Sequence, residues 1–244
     1  MELQNKVALV TGGAVRVGKA IAIALAKEGA RVAVHYHRSQ ADAERTLREI
    51  ESIGGTAALV PGDLAQLAEI EKVAARCYQA FGRIDILINN AAVYYRTPLD
   101  ETTEKQWDEL MTINLKAPFF CAQAVAKIMK KQQHGKIINI VDVAGIDPWP
   151  GYLPYCASKA GLISLTQGLA KALAPNVQVN AIAAGTVLLQ ENTTPEYQRE
   201  IEQLSLLKKI GSPSDIVNSV LYLLQGSDFI TGAVIPVDGG RLLA

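Results

Sequence analysis

The sequence lacks an excess of charge of either sign, a long apolar run and a clustered set of cysteines. Its 244 residues carry 24 basic and 24 acidic side chains, so no basic surplus exists to bind nucleic acid through its phosphates. Apolar stretches such as residues 20–26 and 177–189 are short or interrupted, whereas a membrane-spanning helix needs about 20 apolar residues. The first residues show no cleavable signal pattern. These absences favour a cytoplasmic protein that binds neither membranes nor nucleic acid.

Cysteine is also scarce. Cys77, Cys121 and Cys156 are an odd number at wide spacing, so the sequence predicts neither a disulfide framework nor a metal site. Hydrophobic residues, in contrast, make up 49% of the chain, which is enough for a large buried core and argues against disorder.

Short β-branched runs alternate with longer helical stretches along the whole chain. The predicted strands are residues 6–10, 31–36, 56–60, 84–88, 136–141 and 177–182, and the predicted helices are residues 16–28, 40–53, 64–81, 103–131, 153–174 and 213–224. This alternation predicts a doubly wound α/β fold with a parallel sheet and helices on both faces. Because no linker, repeat or low-complexity stretch interrupts it, residues 1–244 are expected to form a single domain.

The segment around residues 185–208 fits this alternation worst. It follows the sixth predicted strand, at the end of the sheet where ligand-covering loops lie in such folds, so it is interpreted as a substrate loop or lid. An ordinary surface connection is the alternative.

A glycine-rich turn over residues 11–18 connects the first predicted strand to the first predicted helix. Backbone N–H groups in such a turn, together with the helix N-terminus, can approach a pyrophosphate. The candidate dinucleotide contacts in the turn are Gly12, Arg16, Val17 and Gly18.

The end of the second predicted strand indicates which dinucleotide is bound. A carboxylate there would bind the 2′-hydroxyl of NAD, but the chain has His37, Arg38 and Ser39 instead. These side chains are donors suited to a 2′-phosphate, so NADP is predicted, with NADPH as the hydride donor. The alternative for Arg38 is a cap on a solvated loop.

Several motifs occur in an order that resembles the short-chain dehydrogenase/reductase family almost from end to end. They are the turn at residues 11–18, which resembles TGxxxGxG with Arg16 in place of the middle glycine, Asn89-Asn90-Ala91-Ala92, Asn114, Tyr155 with Lys159 in YxxxK spacing, Ile230-Thr231-Gly232, and Val237-Asp238-Gly239-Gly240. The resemblance implies a Rossmann-type sheet of about seven strands. It also implies a homotetramer joined through the long fourth and fifth helices and the C-terminal strand.

The resemblance also implies roles for individual residues. Tyr155 would donate the proton, Lys159 would lower the pKa of Tyr155 and hold the nicotinamide ribose, and Asn114 would hold a water. Asp63 would bind the adenine amino group. The further cofactor contacts implied are Leu64, Asn90, Ala91 and Gly185; Gly185 follows Ala184, where the family usually has proline.

One residue departs from the family's carbonyl reductases. Asp142 stands thirteen positions before Tyr155, where those enzymes have a serine that donates a hydrogen bond to the substrate carbonyl. An ionised carboxylate has no proton to donate and would repel a developing alkoxide. It would, however, accept hydrogen bonds from the N–H groups of a pterin ring.

With Asp142 at this position, the chain resembles the pteridine reductase branch of the family. That branch resembles this chain in Arg16, in His37-Arg38-Ser39, in Asp142 and in an aromatic residue at Tyr94. The resemblance implies NADPH-dependent reduction of a C=N bond in a dihydropterin or dihydrofolate. The candidate substrate residues are Arg16, Tyr94, Asp142, Trp149, Tyr152 and Tyr155.

Two other functions stay open from the sequence. One is a carbonyl reductase of the 3-oxoacyl-carrier or sugar/alcohol type in which Asp142 is tolerated. The other is a non-catalytic dinucleotide sensor, against which the intact set of Asn114, Tyr155 and Lys159 argues. The sequence does not distinguish pterins from folates as the substrate.

Overall fold

Seven parallel strands form one sheet in the computed structural model, which describes residues 1–189 and 193–244. The strands are β1 Val7–Val10, β2 Arg31–Tyr36, β3 Thr56–Pro61, β4 Ile86–Asn89, β5 Gly135–Asp142, β6 Val177–Ala184 and β7 Val234–Val237. Their order across the sheet is β3-β2-β1-β4-β5-β6-β7, and every pairing is parallel. The predicted doubly wound sheet of about seven strands is confirmed.

Helices cover both faces of this sheet. The helices are α1 Arg16–Lys27, α2 Gln40–Ser52, α3 Leu67–Phe81, α4 Glu104–Met111, α5 Ala117–Gln132, α6 Leu153–Leu173, α7 Pro195–Gln203 and α8 Pro213–Leu221. A π-helical turn, Thr112–Lys116, joins α4 to α5, and a second, Tyr222–Gly226, extends α8. The single helix predicted over residues 103–131 is therefore two helices joined by a π turn.

The strand residues divide between two apolar layers with the period of two that a pleated strand imposes. In β1, Ala8 and Val10 pack with α1, α2 and α8 on one face. Val7 and Leu9 pack with α3, α5 and α6 on the other face. Burial on both faces explains why these strands read as continuous apolar runs.

The chain reverses its direction across the sheet at β1, which lies between β2 and β4. In open α/β sheets, ligands bind at such a switch point, beyond the carboxyl ends of the strands. The glycine turn, His37, Asn90 and Gly185 follow strands at this end, and Asp142 is the last residue of β5.

The predicted loop or lid at residues 185–208 contains α7, which the sequence did not predict. Residues 190–192 of that segment lie outside the described residues. Its described residues Leu188, Leu189, Thr193, Tyr197, Ile201 and Leu204 line the main cavity of the molecule. Of the helices that the structure describes, none is both long and apolar enough to cross a bilayer.

Candidate active site

Hydrogen bonds of ordinary length fix the start of the glycine turn against the end of β4. The Thr11 hydroxyl donates to the Ile88 carbonyl at 3.1 Å and accepts from the backbone N–H groups of Asn90 and Ala91 at 2.9 and 3.1 Å. The side-chain Nδ2 of Asn90 donates to the carbonyls of Thr11 and Gly12, at 2.9 and 3.2 Å. Asn90, the second residue of the Asn-Asn motif, therefore fixes the start of the turn, whereas Asn89 donates to the Pro118 carbonyl and to Asn139 Oδ1.

Close packing and backbone conformation explain the glycines of the turn. Gly12 has a φ of +61°, in the left-handed region that favours glycine. A Cβ at Gly18 would lie 2.1 Å from the Gly12 carbonyl oxygen, a distance at which no side chain fits. Arg16, which replaces the middle glycine of the family motif, adopts a φ of +53°, in the left-handed region that favours glycine.

The N-terminus of α1 is arranged to receive an anion. The helix begins at Arg16, the side chain of Val15 makes no cap hydrogen bond, and the described first turn holds no acidic residue. The first N–H groups of a helix have no intrahelical partner, and its dipole favours negative charge there. Because Val15, Arg16 and Val17 line the main cavity, these donors face a ligand-sized space.

The ends of β2 and β3 contribute polar groups to the same cavity. Asp63 Oδ1 accepts from the Ala65 N–H at 3.0 Å and lies 3.9 Å from His37 Nδ1. The Ala65 hydrogen bond is the main cause that lowers the pKa of Asp63, and the charges of His37 and Arg38 add to it. Ser39 precedes α2, but its hydroxyl makes no cap hydrogen bond within the described structure.

Asp142 and Tyr155 lie together in the half of the cavity beyond the end of β5, which is called the substrate half below; the half lined by the glycine turn and the ends of β2 and β3 is called the cofactor half. The Tyr155 hydroxyl donates to Asp142 Oδ2 at 2.8 Å, and Asp142 Oδ1 accepts from the Ala144 N–H at 2.8 Å. Asp142 therefore caps the short 3-10 turn Val143–Gly145 and also contacts the predicted proton donor. Burial raises the pKa of the Asp142 carboxyl, and the two hydrogen bonds and the charges of Lys159 and Arg241 oppose this effect.

Burial is the main influence on the pKa of Tyr155, and the lowering of that pKa by Lys159 that the family resemblance implies stays a prediction. Burial, followed by the charge of Asp142, raises the pKa of Tyr155 well above its usual value. Lys159 Nζ lies 5.7 Å from the centroid of the Tyr155 ring and donates to the Ile140 carbonyl at 3.0 Å. Burial lowers the pKa of Lys159 to about 8. Tyr155 is therefore held in its protonated form, with its proton directed at Asp142.

Asn114 lies in the π turn between α4 and α5 and is fully buried. Its Oδ1 accepts from the Val93 N–H and its Nδ2 donates to the Val93 carbonyl, both at 2.9 Å. Asn114 does not line the cavity but fixes the loop beside Tyr94. Its predicted role in holding a water stays a prediction.

Four aromatic side chains form the wall around Asp142. Tyr94 stacks on Tyr152 with ring centroids 4.9 Å apart and planes inclined by 3°, and it meets Tyr155 edge-on at 4.9 Å. Trp149 contacts Tyr152 edge-on at 5.9 Å. The Arg241 guanidinium lies 4.4 Å above the Trp149 ring. This wall offers flat apolar faces beside one buried carboxyl group.

One cavity of about 1370 Å³ contains both the cofactor half and the substrate half of the site. It is lined by every predicted site residue except Asn114, namely Gly12, Arg16, Val17, Gly18, His37, Arg38, Ser39, Asp63, Leu64, Asn90, Ala91, Tyr94, Asp142, Trp149, Tyr152, Tyr155, Lys159 and Gly185. The volume exceeds the 300–1,000 Å³ or so of a typical small-ligand pocket, as a dinucleotide beside a second small molecule would require.

Sequence reasoning missed Arg241 as a cavity residue. Gly239 and Gly240 both adopt left-handed φ values, +63° and +80°, and turn the chain back after β7. Asp238 then accepts from the N–H groups of Gly240 and Leu242, both at 2.9 Å, and stabilises the 3-10 turn that carries Arg241. The paired glycines after Asp238 were the available signal, because they mark a forced turn at the ligand end of the sheet.

Comparisons with known proteins assign the family. The sequence profile of the short chain dehydrogenases matches residues 6–200. The chain is 37% identical over 246 residues to a 3-oxoacyl-(acyl-carrier-protein) reductase of Synechocystis sp., covering 99% of this chain and 98% of the relative. It is 35% identical over 243 residues to a reductase of the same name from Staphylococcus epidermidis, covering 98% and 100%. This protein therefore belongs to the short-chain dehydrogenase family of oxidoreductases.

Solved structures agree with this assignment. A dehydrogenase/reductase from Sinorhizobium meliloti 1021 superposes with a TM-score of 0.91 at 35% identity, covering 98% of this chain and 97% of the other. Another structure from that organism, assigned provisionally to the short-chain alcohol dehydrogenases, gives a TM-score of 0.94 at 34% identity, covering 100% and 98%. The expected family is confirmed, but these relatives give no support to its pteridine reductase branch.

Proposed function

We propose that this protein is an NADPH-dependent reductase that reduces a C=N bond of a pteridine of the dihydropterin or dihydrofolate type. The observation that carries the proposal is the contact between Asp142 Oδ2 and the Tyr155 hydroxyl at 2.8 Å, inside an aromatic wall. A carboxyl group stands where a carbonyl reductase of this family needs a neutral donor.

The residues of the cofactor half fit a dinucleotide phosphate. The uncapped N-terminus of α1, with Gly12, Arg16, Val17 and Gly18, would hold the pyrophosphate. His37, Arg38 and Ser39 would bind the 2′-phosphate, Asp63 and Leu64 the adenine, and Asn90, Ala91, Lys159 and Gly185 the nicotinamide riboside. When bound, NADPH supplies the hydride.

The substrate half fits a flat heterocycle that carries N–H groups. The Asp142 carboxylate can accept from a ring N–H and an exocyclic amino group, as a pterin presents them. One face of the Tyr94 ring stacks on Tyr152, so a heterocycle would stack on the other face of this half-exposed side chain, and stacking of a base-like ring on an aromatic side chain is worth about 1–3 kcal/mol. Tyr152 and Trp149 would form the wall, and Arg16 would contact the polar edge of the ring.

Proton transfer is assigned to the Asp142–Tyr155 pair. Reduction of C=N places a proton on nitrogen. Burial raises the pKa of Tyr155 and so keeps its hydroxyl protonated, and this hydroxyl, which donates to Asp142 Oδ2, carries the proton that the pair supplies. The Lys159 ammonium, charged below about pH 8, would stabilise the negative charge left on the pair after transfer.

Reduction of a 3-oxoacyl thioester is the second candidate. The names of the Synechocystis and Staphylococcus relatives favour it, and at the level of whole-chain similarity they support it better than they support pteridine reduction. In that reaction Tyr155 would donate directly to the carbonyl oxygen. Ionised Asp142 would then face a developing alkoxide with the wrong charge.

The test is NADPH oxidation measured against dihydropterins, dihydrofolate, acetoacetyl thioesters and simple ketones at equal concentrations. We expect the highest kcat/KM for a dihydropterin or dihydrofolate, with NADH a poorer donor than NADPH. A higher kcat/KM for the acetoacetyl thioester than for every pteridine would establish the second candidate instead.

The homotetramer implied by the family resemblance belongs to the same proposal. The outer surface of α5 and α6 carries an apolar groove lined by Leu115, Phe119, Phe120 and Leu165, on the helices through which the subunits would pair. Light scattering after gel filtration tests the stoichiometry, and a monomer at micromolar concentration would contradict it.

A further inference from the structure

We infer that His35 is a positioning residue for the dinucleotide site, and that its imidazole holds the glycine turn in the conformation that receives the cofactor phosphates. The inference rests on the proposed use of a dinucleotide cofactor. None of the sequence motifs assigns a role to this side chain, since the cofactor contacts expected at the end of β2 begin at His37.

His35 makes three hydrogen bonds that join three separate segments of the site. The Gly12 N–H donates to His35 Nδ1 at 3.0 Å, and the Gly13 N–H donates to the His35 carbonyl at 2.9 Å. His35 Nε2 lies 3.1 Å from the carbonyl oxygen of Gly62, immediately before Asp63. One residue of β2 thus connects the turn after β1 with the end of β3.

These partners determine the protonation state of the ring. A backbone N–H is a donor, so Nδ1 must be unprotonated to accept from Gly12, whereas Nε2 must carry a proton to donate to the Gly62 carbonyl. Only the neutral Nε2–H tautomer satisfies both contacts, because an imidazolium would present an N–H to the N–H of Gly12.

The environment of the ring agrees with this tautomer. Only 2% of the His35 surface is exposed, and burial lowers its pKa to about 4. The nearby charges of His37 and Asp63 act in opposite directions, and both are smaller effects than burial. The imidazole therefore stays neutral throughout the pH range in which a dinucleotide reductase would be assayed.

The contact with Gly12 is the one that affects the cofactor. Gly12 adopts a left-handed φ of +61°, and its carbonyl accepts from Asn90 and lies against Gly18. The hydrogen bond from the Gly12 N–H to His35 fixes the peptide plane at the start of the turn. This turn leads into the first residues of α1, whose N–H groups have no partner within the helix. Loss of the acceptor would leave a polar group of the turn unsatisfied and free this plane to rotate.

Two variants separate the contacts of the ring. In His35→Asn the side-chain oxygen can occupy the position of Nδ1 and accept from Gly12, whereas in His35→Gln the longer amide can reach Gly62 but leaves Gly12 without its acceptor. His134→Asn, in the connection between α5 and β5 at the amino-terminal end of the strands and outside the lining of the cavity, is the matched control. The dissociation constant of NADPH is measured for each by fluorescence titration, with a thermal melt of each apo protein.

We expect His35→Asn to bind NADPH within about twofold of wild type and His35→Gln to bind it roughly threefold to tenfold more weakly, the scale of one lost hydrogen bond. His134→Asn should match wild type. Equal affinities of His35→Asn and His35→Gln, whether both match wild type or both are weaker, would overturn the inference.

Nitrogen-15 NMR of the wild-type imidazoles provides the second readout, and the chain has only three histidines to assign. We expect His35 to show an unprotonated Nδ1 and a protonated Nε2 at every pH from 5.5 to 8. A protonated Nδ1, or titration within this range, overturns the inference even if both variants fail to fold. If wild type binds neither NADPH nor NADH, the proposed function fails, whereas the NMR result still decides the tautomer.

Discussion

Arg16→Gly is expected to stabilise the fold and weaken the enzyme at the same time. Arg16 has a φ of +53°, and a left-handed conformation costs a residue with a side chain about 1–2 kcal/mol. Glycine removes that cost but adds about 0.4–1 kcal/mol of conformational entropy to the unfolded chain. The described contact of the guanidinium, from Nη2 to the Leu188 carbonyl, is long and exposed at 3.5 Å, so little is lost there. The net gain is about 1 kcal/mol.

For a chain of this size, 1 kcal/mol corresponds to a rise in Tm of about 2–4 °C. In the same variant, loss of a charge-assisted hydrogen bond to phosphate should weaken NADPH binding roughly tenfold to hundredfold. Differential scanning fluorimetry of the apo protein and a fluorescence titration with NADPH measure the two effects.

Arg16→Ala separates strain from charge, because alanine removes the guanidinium but keeps a Cβ in the left-handed region. We expect Arg16→Ala to bind NADPH as weakly as Arg16→Gly and to melt at or below the wild-type temperature. If Arg16→Gly melts no higher than Arg16→Ala, the reasoning from backbone strain is refuted. If neither substitution weakens NADPH binding, Arg16 does not hold the cofactor.

Three further predictions concern the cofactor choice and the proton donor. Arg38→Asp should weaken NADPH tenfold or more and leave NADH within about twofold, and equal losses in the two titrations would contradict an NADP site. Tyr155→Phe should lower kcat by about 10² or more and leave the NADPH dissociation constant unchanged, whereas Lys159→Ala should impair both turnover and NADPH binding. Substantial turnover by Tyr155→Phe would leave Asp142 as the sole proton donor. Wild-type kcat should fall as pH rises past about 8, because the Lys159 ammonium loses its charge there; a flat profile between pH 7 and 9 would exclude a role for that charge.

Much of the fold could be predicted because strands buried on both faces are continuous apolar runs bounded by turn residues. The bounds of β2 match residues 31–36 of the prediction, and α2 differs from it by one residue. The π turn at Thr112–Lys116 could not be predicted, since the inserted residue changes the helical register without a change in composition. Helix α7 was missed because six of its nine residues are polar and none is buried, although Tyr197 and Ile201 have helical spacing.

The candidate site, like the fold, was predicted in part. Its members in recognisable motifs, such as Asp142, Tyr155 and Lys159, were predicted, and the structure brings them together. Arg241 reaches the cavity through the left-handed glycine pair that precedes it; the sequence shows the pair and so predicts a turn, but it does not show that this turn directs Arg241 into the cavity.

The role of Asp142 is the central claim, and the substitution Asp142→Ser tests it most directly. Serine can still cap the turn at Ala144, so the fold should tolerate the change, but it replaces a titrating carboxyl group with a neutral donor. The measurement is kcat/KM for a dihydropterin and for an acetoacetyl thioester, in wild type and variant, between pH 5 and 8. We expect dihydropterin turnover to fall by about 10²–10⁴, with one ionisation lost from its pH profile, while thioester turnover holds or rises. An unchanged dihydropterin rate across this pH range, or a thioester rate that falls with it, would contradict the claim.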